Sequence, residues 1–246
     1  MVTHSGITEF EHDIPKLRQI TERVAFLAAG DALRAASLAD QLVASLPTGA
    51  IGVEQIAQAA AQAFGMNRHQ QIETEVFAPR GLTMQQFYQG LQLQWQAQMA
   101  FAVDQQVVGF NYNVELLLAG VDDKGAHLHS IVNPGNRSDL TIIGFHAVGS
   151  GAIHAIQSLI GFGHTSNAQL RDTVFRVYAS KRRAEVAPGV GKATDVAIIS
   201  DAGFYWLDES TLTKLEQVYE EYQKPIGAEM RDKVDRLVMP EEGQAH

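Results

Sequence analysis

Two apolar runs flank a four-residue acidic turn near the middle of the chain, and this pattern constrains the fold most. Residues 115–121 and 127–132 are rich in Leu, Val and Ile, and Asp122-Asp123-Lys124-Gly125 lies between them. β-rich runs around such a turn predict an antiparallel hairpin. A second hairpin is expected from 194–200 and 203–207 around Asp201-Ala202, and a further strand at 140–147. Upstream, the short apolar run 24–29 ends at Gly30 and reads as a buried strand.

Helical signals fall between these strands. Asp31 is a plausible N-cap for a helix over 31–46, with apolar residues at Leu33, Ala36, Leu38, Leu42, Val43 and Leu46 and a stop at Pro47 and Gly49. An Ala-rich helix is expected at 53–64, a connector at 72–81, and a long helix capped by Thr83 that runs to about Gln106. In that helix Phe87, Leu91, Trp95, Met99 and Phe101 recur at three- and four-residue spacing and read as a core stripe. Helices are also expected at 149–161 and at 167–184, the latter with Ser166 or Asn167 as its cap. Asp208 caps a final helical region to about Val238, interrupted at Pro225-Ile226-Gly227, and the tail 240–246 is expected to fray. Hairpins and paired helices together argue for an α+β layered sandwich, not a βαβ sheet.

Composition removes several function classes. A net charge of -9 without a Lys/Arg run is poor material for nucleic-acid binding, which needs clustered positive charge. With no cysteine there is no disulfide, thiol nucleophile or thiolate metal site. No apolar run approaches the ~20 residues that span a bilayer, and the first 13 residues lack the regions of a signal peptide. A cytoplasmic protein without a cofactor is the expectation. His127 and His129 share one strand face, a spacing compatible with metal binding, but no carboxylate or further His stands at helical spacing to complete a signature. These histidines, with His146 and His154, are therefore expected on polar or partly buried positions, and no metal site is expected.

Three blocks resemble the second half of proteasome-type β subunits. They are VELLLAGVDDKGAHLHSIV at 114–132, AVGSGAIHAIQSLIG at 147–161 and VYASKRRAEVAPGVGKATDVAII at 177–199. Pro15-Lys16-Leu17-Arg18-Gln19-Ile20 and VAFLAAGD at 24–31 resemble that family's lysine strand and glycine turn. The resemblance implies an N-terminal-nucleophile hydrolase fold, an αββα sandwich of two antiparallel sheets between helix layers. It implies one such domain over 1–207, with a longer helical segment at 51–113, followed by a helical extension at 208–246. The family's N-terminal strand pair, which carries a threonine nucleophile and a buried aspartate, has no counterpart in this sequence.

The resemblance also carries a site. Lys16 matches the lysine whose positive charge favours a neutral amine and a developing alkoxide; its other reading is an ordinary exposed cation. Gly30 matches a glycine whose N–H supports an oxyanion, while a strand-to-helix turn also asks for glycine. Ser150 matches a serine near the nucleophile's amine, and an N-cap for the following helix is its alternative. Thr3 matches a residue that pairs with the substrate backbone. Where the family has an aspartate and a serine after its basic helix, this chain has Ala187 and Val190.

The expectation is a subunit related to threonine-type endopeptidases, inactive as written because the threonine is absent. It would belong to a homo- or hetero-oligomeric ring acting on peptides or unfolded protein, without nucleic acid or membrane. A non-catalytic structural subunit and a non-peptidase amidohydrolase of the same fold are the alternatives.

Overall fold

Five strands hydrogen-bond in chain order into one antiparallel sheet: β3 (Leu17–Thr21), β4 (Val24–Gly30), β5 (Val114–Asp122), β6 (Gly125–Val132) and β7 (Asn136–Asp139). The computed structural model describes residues 2–4, 9–11, 16–47, 49 and 51–223. Before the sheet, β1 (Val2–His4) pairs with β2 (Glu9–Glu11) as a separate two-stranded element. The chain divides into two compact units, Met1–Trp206 and Leu207–His246.

Alternation along the strands sorts the first unit's core. Val24, Phe26 and Ala28 of β4 point to the same side as Val114, Leu116 and Leu118 of β5 and Ile131 of β6. Two helices cover that face. α1 (Ala32–Ser45) buries Ala35, Leu38, Ala39 and Leu42, and α2 (Val53–Ile72) buries Val53, Ile56, Ala57, Ala60, Ala63 and Phe64. Full burial of a Phe or Leu here contributes about 1.5–3 kcal/mol each. Asp31 caps α1 as expected, its Oδ1 accepting from Leu33 and Arg34 N–H at 3.0 and 3.1 Å. Leu33 and Val43 lie outside the apolar stripe and are exposed.

On the other face, β8 (Ala197–Ser200) lies near β5 and pairs with β9 (Gly203–Trp206). α6 (Ala152–Gly161) and α7 (Leu170–Ala184) pack against each other. The architecture is mixed α+β with antiparallel sheets. In the second unit Asp208 caps α8 (Glu209–Tyr222), its Oδ1 accepting from Thr211 N–H at 2.7 Å. The interruption at 225–227 and the tail at 240–246 lie outside the described residues. Among the described residues no helix is long and apolar enough to cross a membrane.

Several elements depart from the sequence expectation. No strand forms at 140–147. Thr141 instead turns on Asp139, its N–H donating to Oδ1 at 2.9 Å, and Gly144 N–H donates back to Leu140 O at 2.9 Å. Gly144 has φ +81° and lies so close to Ser166 that a Cβ would sit 2.5 Å from its Cα. Ile142 is consequently 93% exposed. The fifth strand is the polar β7, reached through a turn at Asn133-Pro134-Gly135 in which Gly135 N–H donates to Val132 O at 2.7 Å. An edge strand of Asn, Arg, Ser and Asp has no apolar alternation to reveal it.

α2 extends well past residue 64, and the expected connector continues it as helical turns at Glu73–Phe77 and Ala78–Arg80, stopped by left-handed Gly81 at φ 68°. The reason is burial: Ile72, Val76 and Phe77 lie on one side and meet Phe87 and Val103 in a second small core. The single long helix expected after Thr83 is broken. Thr83 does form a capping box with Gln86 at the start of α3 (Met84–Gln86). A wide turn at Phe87–Leu91 contains Gly90 at φ 133°, followed by α4 (Gln92–Gln94) and then α5 (Ala97–Val108). Glycine inside a helix costs about 1 kcal/mol relative to Ala, and this one leaves helical geometry altogether. Phe87 is buried and Trp95 packs beside it at 5.7 Å between centroids, but Met99 and Phe101 are exposed, so the expected stripe stops before α5. α7 starts at Leu170 with Gln169 at its N-cap, three residues later than expected.

Candidate functional site

One end of the five-stranded sheet gathers residues far apart in the chain. β3 begins there, β4 ends there and β5 begins there, because Gly30 is paired with Val114 and Ala28 N–H donates to Lys16 O at 2.8 Å. Gly30 has φ +94°, and a Cβ on it would lie 2.1 Å from Asn113 O. The next residue, Asp31, donates its N–H to the same oxygen at 2.7 Å. A glycine is therefore required here by close backbone approach alone.

The Gly149-Ser150-Gly151 turn closes over this end. A Cβ on Gly149, whose φ is +92°, would be 3.0 Å from Ala29 Cβ. Gly149 N–H donates to Glu115 Oε2 at 3.1 Å, and Glu115 stands opposite Ala29 in the ladder. Ser150 does not cap α6: the N-cap position belongs to Gly151, without a side-chain bond. Ser150 is exposed, and a Cβ on Gly189 would be 3.8 Å from its Oγ. The turn thus presents the serine toward the loop after α7.

That loop is built by apolar packing. A Cβ on Gly151 would press on Ala184 Cβ and Val190 Cγ2, both at 3.0 Å, and Ala187 is buried. Ala187 and Val190 seat the loop by apolar packing. Its downstream part is fastened by Lys181, whose Nζ donates to Glu185 Oε1 at 2.6 Å and to Gly191 O and Lys192 O at 2.9 Å each. Burial pushes the Lys181 amine down; Glu185 opposes this, and the charges of Arg182 and Lys16 lower it further. Lys16 is thus near enough for its charge to act at Lys181.

Lys16, Gly30 and Ser150, all named from the sequence, lie around this one end. Thr3 is placed on β1, opposite Phe10 of β2. Two residues were not singled out in the sequence. Glu115 is a lone carboxylate at the head of an apolar strand, and only strand pairing puts it beside Gly149. Lys181 sits in the basic end of α7, inside one block of the resemblance, and only the fold brings its Nζ to Gly191 O and Lys192 O. Among the described residues no three His, Asp or Glu side chains are grouped to hold a metal ion.

No protein-family model matches the chain, and no curated protein matches it.

Proposed function

We propose that the chain is a proteasome-like subunit of N-terminal-nucleophile type, related to threonine endopeptidases and working in a ring assembly on peptides or unfolded protein. One observation supports this reading most. Lys16 and Gly30, from the two upstream segments of the resemblance, and Ser150, from the block at 147–161, belong to one end of the sheet. Lys16 and Gly30 meet through the β3–β4 hairpin, and Ser150 is brought to them from a distant part of the chain.

In this reading the nucleophile is a threonine hydroxyl at the Lys16 end, with its own α-amine as proton acceptor; no residue of this sequence is assigned that role, and the chain as written is expected to be inactive. The lysine ammonium favours the neutral amine and the alkoxide. The hydroxyl of Ser150 hydrogen-bonds near that amine, and the Gly149–Glu115 contact holds the turn that presents it. Acyl transfer then proceeds through an ester on the threonine oxygen, with the amine product leaving first and water regenerating the hydroxyl.

A second reading is a non-catalytic subunit of such an assembly. Ala187 and Val190 favour it, since the loop facing Ser150 offers packing where the resemblance calls for an aspartate and a serine.

Protein from its natural source, with its N-terminus sequenced, distinguishes the two. Peptide hydrolysis with a covalent adduct from a threonine-directed inhibitor is the expected result for the catalytic reading. A ring-sized particle without hydrolysis or adduct supports the structural reading. A monomer that neither hydrolyses peptide nor takes the inhibitor overturns both.

A further inference from the structure

Midway along β6, opposite Leu118 of β5, a buried histidine lies under the start of α2. His129 of β6 has no exposed surface, and neither ring nitrogen has a hydrogen-bond partner. Burying an imidazole without such a partner is costly, and burying its charged form costs more.

Charged groups face His129 from every neighbouring element. From α2, Glu54 Oε2 stands 3.4 Å from His129 Nε2. The other oxygen of Glu54 takes Arg137 of β7 at 2.5 Å. Asp139, also on β7, is the cross-strand partner of His129 and accepts from Thr141 N–H. On β6 itself His127 stacks over His129 with centroids 6.3 Å apart. The His127 Nε2–H donates to Asp122 Oδ1 of β5 at 2.9 Å. Asp122 Oδ2 in turn accepts from Val53 N–H, the first amide of α2, at 3.0 Å. The first turn of α2 is thus fastened to three strands by polar contacts gathered around one neutral ring.

We propose that His129, Glu54 and Arg137 form an acid-sensitive latch that holds the first turn of α2 on β6 and β7 while the imidazole is neutral and loosens it when the imidazole takes a proton. The ring lies within reach of two acids, Glu54 and Asp139, yet Glu54 is already engaged by Arg137 and Asp139 by Thr141. A proton on His129 places a new positive charge in a dry site beside Arg137 and His127. Burial, the largest influence, pushes the His129 value below the ordinary 6.5; Asp139 and Glu54 oppose it, and Arg137 and His127 add to it. If the turn lifts, water reaches the ring and the histidine protonates at its ordinary value. The closed latch is therefore fully favoured above about pH 6.5 and weakens as the pH falls below it.

Hydrogen exchange reads this locally. Protection factors at Ile56 and Ala57 in the intact chain should fall about tenfold between pH 7.5 and 5.5, the factor for one group titrating near 6.5 in the open form. His129→Leu should abolish that dependence. The same fall in the variant, or unchanged protection in the wild type, overturns the latch. Should the variant not fold, the His129 Cε1 proton resonance of the wild type decides. A midpoint clearly below 6.5 supports the latch; one at or above 6.5 removes it.

Discussion

The two ends of the same sheet solve different problems. The end at Lys16, Gly30 and Gly149 is built by leaving atoms out: two glycines at positive φ let backbones meet, and the loop beyond closes on Ala184, Ala187 and Val190. The end at Asp122, His129 and Glu54 is built by filling it with charge: Asp122 takes Val53 N–H and His127, Arg137 takes Glu54, and the His129 ring stands beside Glu54 without a hydrogen bond. Close approach makes the first end intolerant of added volume at Gly30 and Gly149. Charge makes the second sensitive to protons, although it too has a close approach at Gly120, where a Cβ would lie 2.8 Å from Val24 Cγ2. A surface suited to bringing a reactive group near backbone donors belongs to the first kind, and a fastening that responds to conditions to the second.

The strongest test of this contrast is Gly30→Ala. The new Cβ meets a backbone oxygen at 2.1 Å in a left-handed conformation. A loss of about 3 kcal/mol or more is expected in urea unfolding; a loss under about 1 kcal/mol would show that the glycine end is not set by close approach. Next comes Asp122→Ala, which removes the acceptor for Val53 N–H and for His127. It should cost about 1–2 kcal/mol at neutral pH.

Asp122 also sharpens the comparison through pH. Its carboxyl is held down at about 2, chiefly by the Lys124 N–H and then by that of Val53, against an ordinary 3.8. A depressed carboxyl stabilises the fold above its unfolded value, and this contribution fades as the pH falls through about 2. Unfolding curves from pH 5 to 2 should therefore be steeper in the wild type than in Asp122→Ala. Gly30→Ala should keep the wild-type slope.

The smallest expected effect concerns Glu115. Glu115→Ala removes the acceptor for Gly149 N–H and should lower stability by no more than about 1 kcal/mol. Exchange at the Gly149 amide should quicken while exchange at Ile56 is unchanged. Equal quickening at both amides would mean that the two ends do not behave independently.

Where a local rule sufficed, the elements were readable. Asp31 and Asp208 cap their helices, and the Asp122–Gly125 turn joins β5 to β6 as an antiparallel hairpin. Reading failed where an element owed its form to a distant partner. Residues 72–81 carry Thr, Pro and β-branched Val, weak helix formers, yet continue as helix because Val76 and Phe77 are buried against Phe87. Residues 140–147 look like a strand by composition, yet Thr141 and Gly144 turn the chain away.

The candidate site divides in the same way. Lys16, Gly30 and Ser150 could be named from linear blocks, since each sits in a short segment with its own pattern. Glu115 and Lys181 could not: a carboxylate at a strand head and a lysine at a helix end acquire meaning only from what stands opposite them. The buried His129 shows the limit most sharply. Alternation along β6 puts His127 and His129 on one face, and both readings of that face, polar or partly buried, were open in the sequence. Complete burial of one ring was decided by α2, which returns from another part of the chain to lay Glu54 over it. Helix caps and turns depend on neighbours a few residues away and are therefore written in the chain. Burial, and with it the cost of a charge, depends on how far water is excluded, which is settled only when distant segments pack.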